Sequence, residues 1–170
     1  MNVLLLSMPD SFEHMPTIAV RMPNGALCSL AGNIDPHHKV VVADLILVQD
    51  KVRETVERLV RENRPDIVGL SVMTFQRKTA LRIVTLIRML RPGIRIIVGG
   101  YDPSLAPEAY MEEGCGIDFI VRGEGEITFR ELLRAIEAGA GLAAIQGLSY
   151  HAEDGWHQNI PRPVHSLEGD

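Results

Sequence analysis

Small residues, hydroxyls and carboxylates gather in four short segments of this 170-residue chain. These are Ser7-Met8-Pro9-Asp10, Ser71-Val72-Met73-Thr74, Gly99-Gly100-Tyr101-Asp102 and Arg122-Gly123-Glu124-Gly125-Glu126. Hydroxyls at Ser71 and Thr74 offer hydrogen bonds to a polar ligand. Gly99 and Gly100 let a ligand approach the backbone closely. The same glycines also suit plain turns between elements, and both readings stay open for any single pair. No nucleophile stands beside a general base, so the pattern is one of binding rather than catalysis. The two cysteines, Cys28 and Cys115, belong to no CxxC pair and are expected to be packing residues. An iron–sulfur cluster needs three or four thiolates, more than the chain carries.

What must position these segments is a set of alternating strands and helices. Short aliphatic runs predict strands at Val3 to Ser7, Lys39 to Leu45, Ile67 to Ser71, Arg95 to Val98 and Phe119 to Arg122. Amphipathic stripes predict helices between them. One passes through Ala26, Leu27, Leu30 and Ala31. A second runs from Asp50, a plausible N-cap, to Asn63, with Val52, Val56, Leu59 and Val60 on one face. A third spans Arg77 to Leu90, a short one Leu105 to Met111, and a last one runs from Glu126 to the stop at Gly139. Five strand–helix alternations predict an α/β fold: an open five-stranded parallel sheet with helices on both faces. Leu148 to Gln158 reads as a small hairpin turning at Asp154-Gly155, and Ile160 to Asp170 as a linker. The division expected is a ligand-binding domain over residues 1–145, then hairpin and linker over 146–170. Ligands of such sheets bind outside the carboxyl ends of the strands, and the four segments fall there.

Composition narrows the choice of ligand and partner. The hydrophobic fraction is 46%, only 5% is aromatic, and the net charge is -5. No basic run interleaves with aromatics, so no nucleic-acid partner is expected. No apolar segment reaches the length of a membrane span. A strand directly after Met1 leaves no room for a signal peptide, so a cytoplasmic protein is expected. A dinucleotide fingerprint after the first strand is absent, because that turn is Met8-Pro9-Asp10. No Walker A loop occurs. Ser71 stands where a phospho-acceptor receiver domain needs an aspartate.

Three segments resemble cobalamin (vitamin B12)-binding domains: IVGLSVMTFQRK (Ile67 to Lys78), RIIVGGYDPSLAPE (Arg95 to Glu108) and DFIVRGEGEITFRELL (Asp118 to Leu133). The last is similar to the form found in cobalamin-dependent radical SAM proteins, where this domain precedes a barrel with a CxxxCxxC cluster motif. The resemblance implies a Rossmann-like, flavodoxin-like fold. In it the nucleotide tail of cobalamin inserts beside the sheet and the corrin lies across its carboxyl edge. Carried over by position, Ser71 and Thr74 would bond the tail, and Gly69 would leave room for it. Gly99, Gly100 and Tyr101 would flank tail or ring, and Gly123, Glu124 and Gly125 would face the ring. Ser7, Met8, Pro9, Val72 and Phe75 complete the expected cofactor-binding set. Methionine-synthase-like relatives place a DxHxxG after the first strand, whose histidine ligates cobalt. Here the loop reads Asp10-Ser11-Phe12-Glu13-His14, with the wrong spacing and no glycine. His14 is therefore expected to be a surface residue and the cobalamin base-off and His-off. His37 and His38 are expected to be solvated. The resemblance further implies S-adenosylmethionine and a [4Fe-4S] cluster in a downstream radical SAM domain, and most readily methyl transfer to an unactivated carbon. Cyclisation or rearrangement, a free-standing cobalamin carrier and a flavodoxin-like module without corrin stay open.

Overall fold

Aliphatic residues on alternate sides of each short strand let one sheet bury both faces, and helices cover them. The computed structural model describes residues 1–10, 24–48 and 50–163. Its strands are β1 (Asn2–Ser7), β2 (Lys39–Asp44), β3 (Ile67–Ser71), β4 (Arg95–Gly99), β5 (Phe119–Val121), β6 (Leu148–Ala152) and β7 (Gly155–Gln158). Its helices are α1 (Gly25–Gly32), α2 (Val52–Asn63), α3 (Arg77–Leu90), α4 (Tyr101–Leu105) and α5 (Gly125–Ala138). The sheet order is β2-β1-β3-β4-β5-β6-β7, with β1 to β5 parallel.

The α/β class expected from the sequence is the one observed, with two strands more in the sheet. The hairpin does not stand apart: β6 pairs antiparallel with β5, Val121 opposite Leu148, and β7 follows it. Leu148 and Ser149 are fully buried, so the hairpin shares the core. The start of the expected linker is also held. Asn159 N–H donates to Leu148 O, Gly147 N–H donates to Ile160 O, and Arg162 Nε donates to Thr128 Oγ1 on α5.

Alternation along the strands sorts the core into two layers. Leu4, Leu6, Val68, Leu70, Ile96 and Val98 pack under α2 and α3. Val3, Leu5, Ile67, Ile97, Phe119 and Val121 pack under α1 and α5, against Leu27, Phe129 and Leu132. Burying a side chain of this kind contributes roughly 1.5–3 kcal/mol, so the layers dominate the favourable side of folding.

Local chemistry moved several boundaries. Helix α2 begins at Val52 with Lys51 at its N-cap, so Asp50 does not cap it. The short helix lies earlier than expected, at Tyr101–Leu105, followed by a 3₁₀ turn at Pro107–Tyr110. Pro107 forbids one continuous helix by removing a backbone donor. Gly139 ends α5 in the left-handed region, as expected.

Two expectations about individual residues are corrected. His38 is buried, not solvated, because the loop before β2 tucks under the last turn of α5. Arg134 grips Asp35 through two 2.7 Å hydrogen bonds and His37 meets Glu137 at 2.9 Å, which holds that loop down. Burial pushes the His38 imidazole below its ordinary pKa, with His37 and the terminal amine adding to the effect. Cys28 is exposed on α1 rather than packed, whereas Cys115 is half-buried and bonds Tyr110 O.

Candidate cofactor site

The sequence of β3 and β4 leaves the upper half of one sheet face without side-chain bulk. Gly69 and Ser71 on β3 and Gly99 on β4 all fall on the α1/α5 side, while Val68, Leu70 and Val98 fill the other. Ser71 sits opposite Gly99, and Gly69 opposite Ile97. A cavity of about 110 Å³ results between the sheet and the two helices. Gly69, Ser71, Ile97, Gly99 and Gly100 form its floor, and Ala26, Leu27, Leu30, Glu126 and Phe129 its walls. Apolar cavities of about 150 Å³ take up a benzene ring, so the space is on the scale of one aromatic ring.

The geometry at Gly100 explains its residue type. Its φ is +104°, and a Cβ there would stand 2.9 Å from both the N and O of Val72. Only glycine fits this close crossing of the β3 and β4 loops. Val72 N–H donates to Gly99 O and Asp102 N–H donates to Val72 O, which locks the two loops together. Ser104 extends the lock to the third loop. Its hydroxyl donates to Gly100 O at 2.7 Å and accepts from Gly123 N–H at 2.9 Å.

Of the expected binding set, the cavity brings together Gly69, Ser71, Gly99, Gly100, Gly123 and Gly125. Phe75 and Tyr101, 66% and 59% exposed, do not line the cavity but follow β3 and β4 in sequence, as do exposed Met73 and Leu105. Glu124 is exposed at the N-cap of α5. The remaining residues go elsewhere. Met8 and Val72 point into the α2/α3 core, since alternation sends them to the opposite face. Ser7 is buried and donates to Asp44 Oδ1, and Pro9 is buried beside it. Thr74 is exposed in the 3₁₀ turn at Thr74–Gln76 and does not line the cavity. His14 and the rest of residues 11–23 lie outside the described residues.

Several contributors were not singled out from the sequence. Asn24 caps α1 by accepting from Leu27 N–H, and its amide donates to Ser71 Oγ at 3.3 Å. The Asn-Gly step before an apolar stripe was the available signal for the cap; the link to Ser71 had none. Replacing Asn24 with Ala should cost about 1 kcal/mol through the lost cap. Hydrogen exchange should then quicken in α1 but not in α3. Gln76 is buried and staples the loop after β1 to the loop after β3: Nε2 donates to Met8 O, and Oε1 accepts from Met73 N–H. Asp102, also buried, accepts two 2.7 Å bonds from Arg77 and a 2.5 Å bond from the Tyr110 hydroxyl. The Arg77 guanidinium, opposed by burial and helped by Tyr110, holds the Asp102 carboxyl below the usual carboxylate range.

The B12 binding domain family model matches residues 15–133. The chain belongs to that family. It is 30% identical over 164 residues, 96% of its length, to an uncharacterized methyltransferase of Pyrococcus horikoshii. The radical S-adenosylmethionine methyltransferase TsrM of Kitasatospora setae, with cobalamin and a [4Fe-4S] cluster bound, superposes on 99% of the chain with a TM-score of 0.75 and 27% identity. The cobalamin-dependent S-adenosylmethionine radical enzyme OxsB, with aqua-cobalamin and S-adenosylmethionine bound, does so on 96% with a TM-score of 0.77 and 25% identity. The B12-binding domain described here spans 36%, 30% and 22% of the lengths of these three proteins.

The residues present fit the cofactor. Glycines and a hydroxyl floor a ring-sized cavity at the carboxyl ends of β3 and β4. Among the described residues, no helix is long and apolar enough to cross a membrane.

Proposed function

We propose that the chain holds cobalamin base-off and His-off as the cofactor domain of a radical SAM enzyme, most readily a methyltransferase acting on an unactivated carbon. The observation that carries this reading is the column of Gly69, Ser71 and Gly99 facing a ring-sized cavity under α1 and α5. A nucleotide tail has a flat aromatic base and polar groups, and the cavity offers both matching surfaces. Ser71 Oγ supplies a hydrogen bond to a buried polar atom that would otherwise be costly to desolvate. Gly99 and Gly100 let the tail lie against bare backbone. Phe75, Tyr101 and Met73, exposed after β3 and β4, would offer apolar surface to a corrin face. Asn24 orients the Ser71 hydroxyl, and Ser104 keeps the β4 and β5 loops at a fixed spacing.

Bound cobalamin would supply a transferable methyl group, and the residues lining the cavity position it. In this reading the domain, with the hairpin as part of its sheet, holds the cofactor in the cytoplasm, and the chain after the hairpin leads to the barrel that binds S-adenosylmethionine and the [4Fe-4S] cluster.

Reconstitution with hydroxocobalamin, then gel filtration, tests the reading. The corrin absorbance should travel with the protein at one equivalent per chain. After reduction to cob(II)alamin, its electron paramagnetic resonance spectrum should lack nitrogen superhyperfine structure, because no nitrogen lies below cobalt. Protein free of corrin absorbance would overturn cobalamin binding; nitrogen splitting would overturn the His-off state. A coding sequence with no CxxxCxxC downstream of Asp170 would overturn the radical SAM assignment.

A further inference from the structure

We propose that His37, His38 and Glu137 form a divalent-cation site of zinc type at the edge of the sheet opposite the cobalamin cavity. The two histidines precede β2, and Glu137 lies in the last turn of α5. Their donor atoms all fall within 4.8 Å of one another. Glu137 Oε2 is 2.9 Å from His37 Nε2 and 4.0 Å from His38 Nε2. Ligands about 2.1 Å from a tetrahedral zinc stand about 3.4 Å apart, so small side-chain adjustments complete the geometry.

His38 supplies the independent observation. Its side chain is fully buried, and Nε2 has no hydrogen-bond partner among the described residues. Buried polar atoms are almost always satisfied, and an orphan needs an explanation such as an ion. The Glu137 carboxylate is too distant to serve as a hydrogen-bond acceptor but lies on the far side of a metal-sized gap. His38 Nδ1 lies 3.2 Å from the amino group of Met1.

Two imidazoles and a carboxylate suit zinc better than magnesium or calcium, which prefer all-oxygen shells. His37 and Glu137 are about half exposed, so solvent can enter and fill the fourth position. The ion would tie β2 to α5 beside the Asp35–Arg134 pair, closing the layer that also carries the cavity floor. A stabilising role follows from that placement, since the site lies far from the rim.

The test uses the full chain without an affinity tag, stripped of metal and free of cobalamin. Titration with zinc chloride at pH 7.5 by calorimetry should give one saturable site per chain, and the melting temperature should rise by several degrees as zinc binds the folded state. His37→Ala and Glu137→Gln alter exposed side chains, so the fold survives. Each should weaken zinc at least tenfold and abolish the thermal shift. Arg134→Ala, which removes only the neighbouring ion pair, should keep the site. The absence of saturable binding, or wild-type affinity in both the His37 and Glu137 variants, would overturn the proposal.

Discussion

Ala26→Trp should abolish measurable retention of cobalamin, an affinity loss of at least ~100-fold, or about 3 kcal/mol. Ala26 lines the cavity from α1, yet its own position is exposed. An indole there occupies the volume the nucleotide tail needs. The helix itself loses only about 0.5 kcal/mol of propensity, so circular dichroism and melting should change little. The chain has a single tryptophan, Trp156, in the hairpin. The added indole therefore reports on the cavity through its own emission, which should be blue-shifted if it inserts. Unchanged co-elution of corrin with the variant would place the tail outside this cavity. Ser71→Leu tests the same space from the sheet side, and the two losses should not add, because either one alone blocks the site.

Asp102→Ala should destabilise the fold by about 3 kcal/mol in urea denaturation. The carboxylate is buried and serves Arg77 twice and Tyr110 once. Removing it strands a guanidinium and a buried phenol, and losing one partner of such a cluster costs more than the net worth of the pair. Arg77 is about one-third exposed and recovers some hydration, which keeps the figure at the low end of the range for buried pairs. Asp102→Asn keeps an acceptor for Tyr110 and should lose less. The pH dependence has a definite sign. The folded carboxyl is held below its unfolded value of about 3.9, so its contribution is complete above that pH and fades as pH falls through the lower folded pKa. Asp102→Asn should accordingly flatten the acid limb of the stability curve below about pH 4 and leave the neutral region parallel to wild type.

The strands and long helices were legible because each carries its own period. Leu4 and Leu6 against Val3 and Leu5, or Val56 and Val60 on α2, reveal their faces without knowledge of the partner. The binding face was partly legible for the same reason: Gly69, Ser71 and Gly99 are small at alternate positions near strand ends. Alternation also argues against Met8 and Val72, which the rim segments contain but whose parity sends them to the other layer. Thr74 was harder, because a hydroxyl after a strand suits a ligand as well as it suits the exposed 3₁₀ turn it opens. His38 looked solvated because a His-His pair before a strand is polar, and nothing local indicates that the end of α5 will cover it.

By itself, then, the sequence determined the order of elements and the two-layered core, since these follow from local periodicity and from the chirality of parallel strands. It also carried the cobalamin resemblance in three short motifs. Only the tertiary structure decided that the hairpin joins β5 as the sheet's last two strands. The same is true of Asn24 and Ser104 tying the cavity loops together and of Glu137 reaching His37 and His38. Each of these joins residues separated by about 20 to 100 positions. Such contacts depend on where whole elements dock, a property of packing that no local pattern encodes.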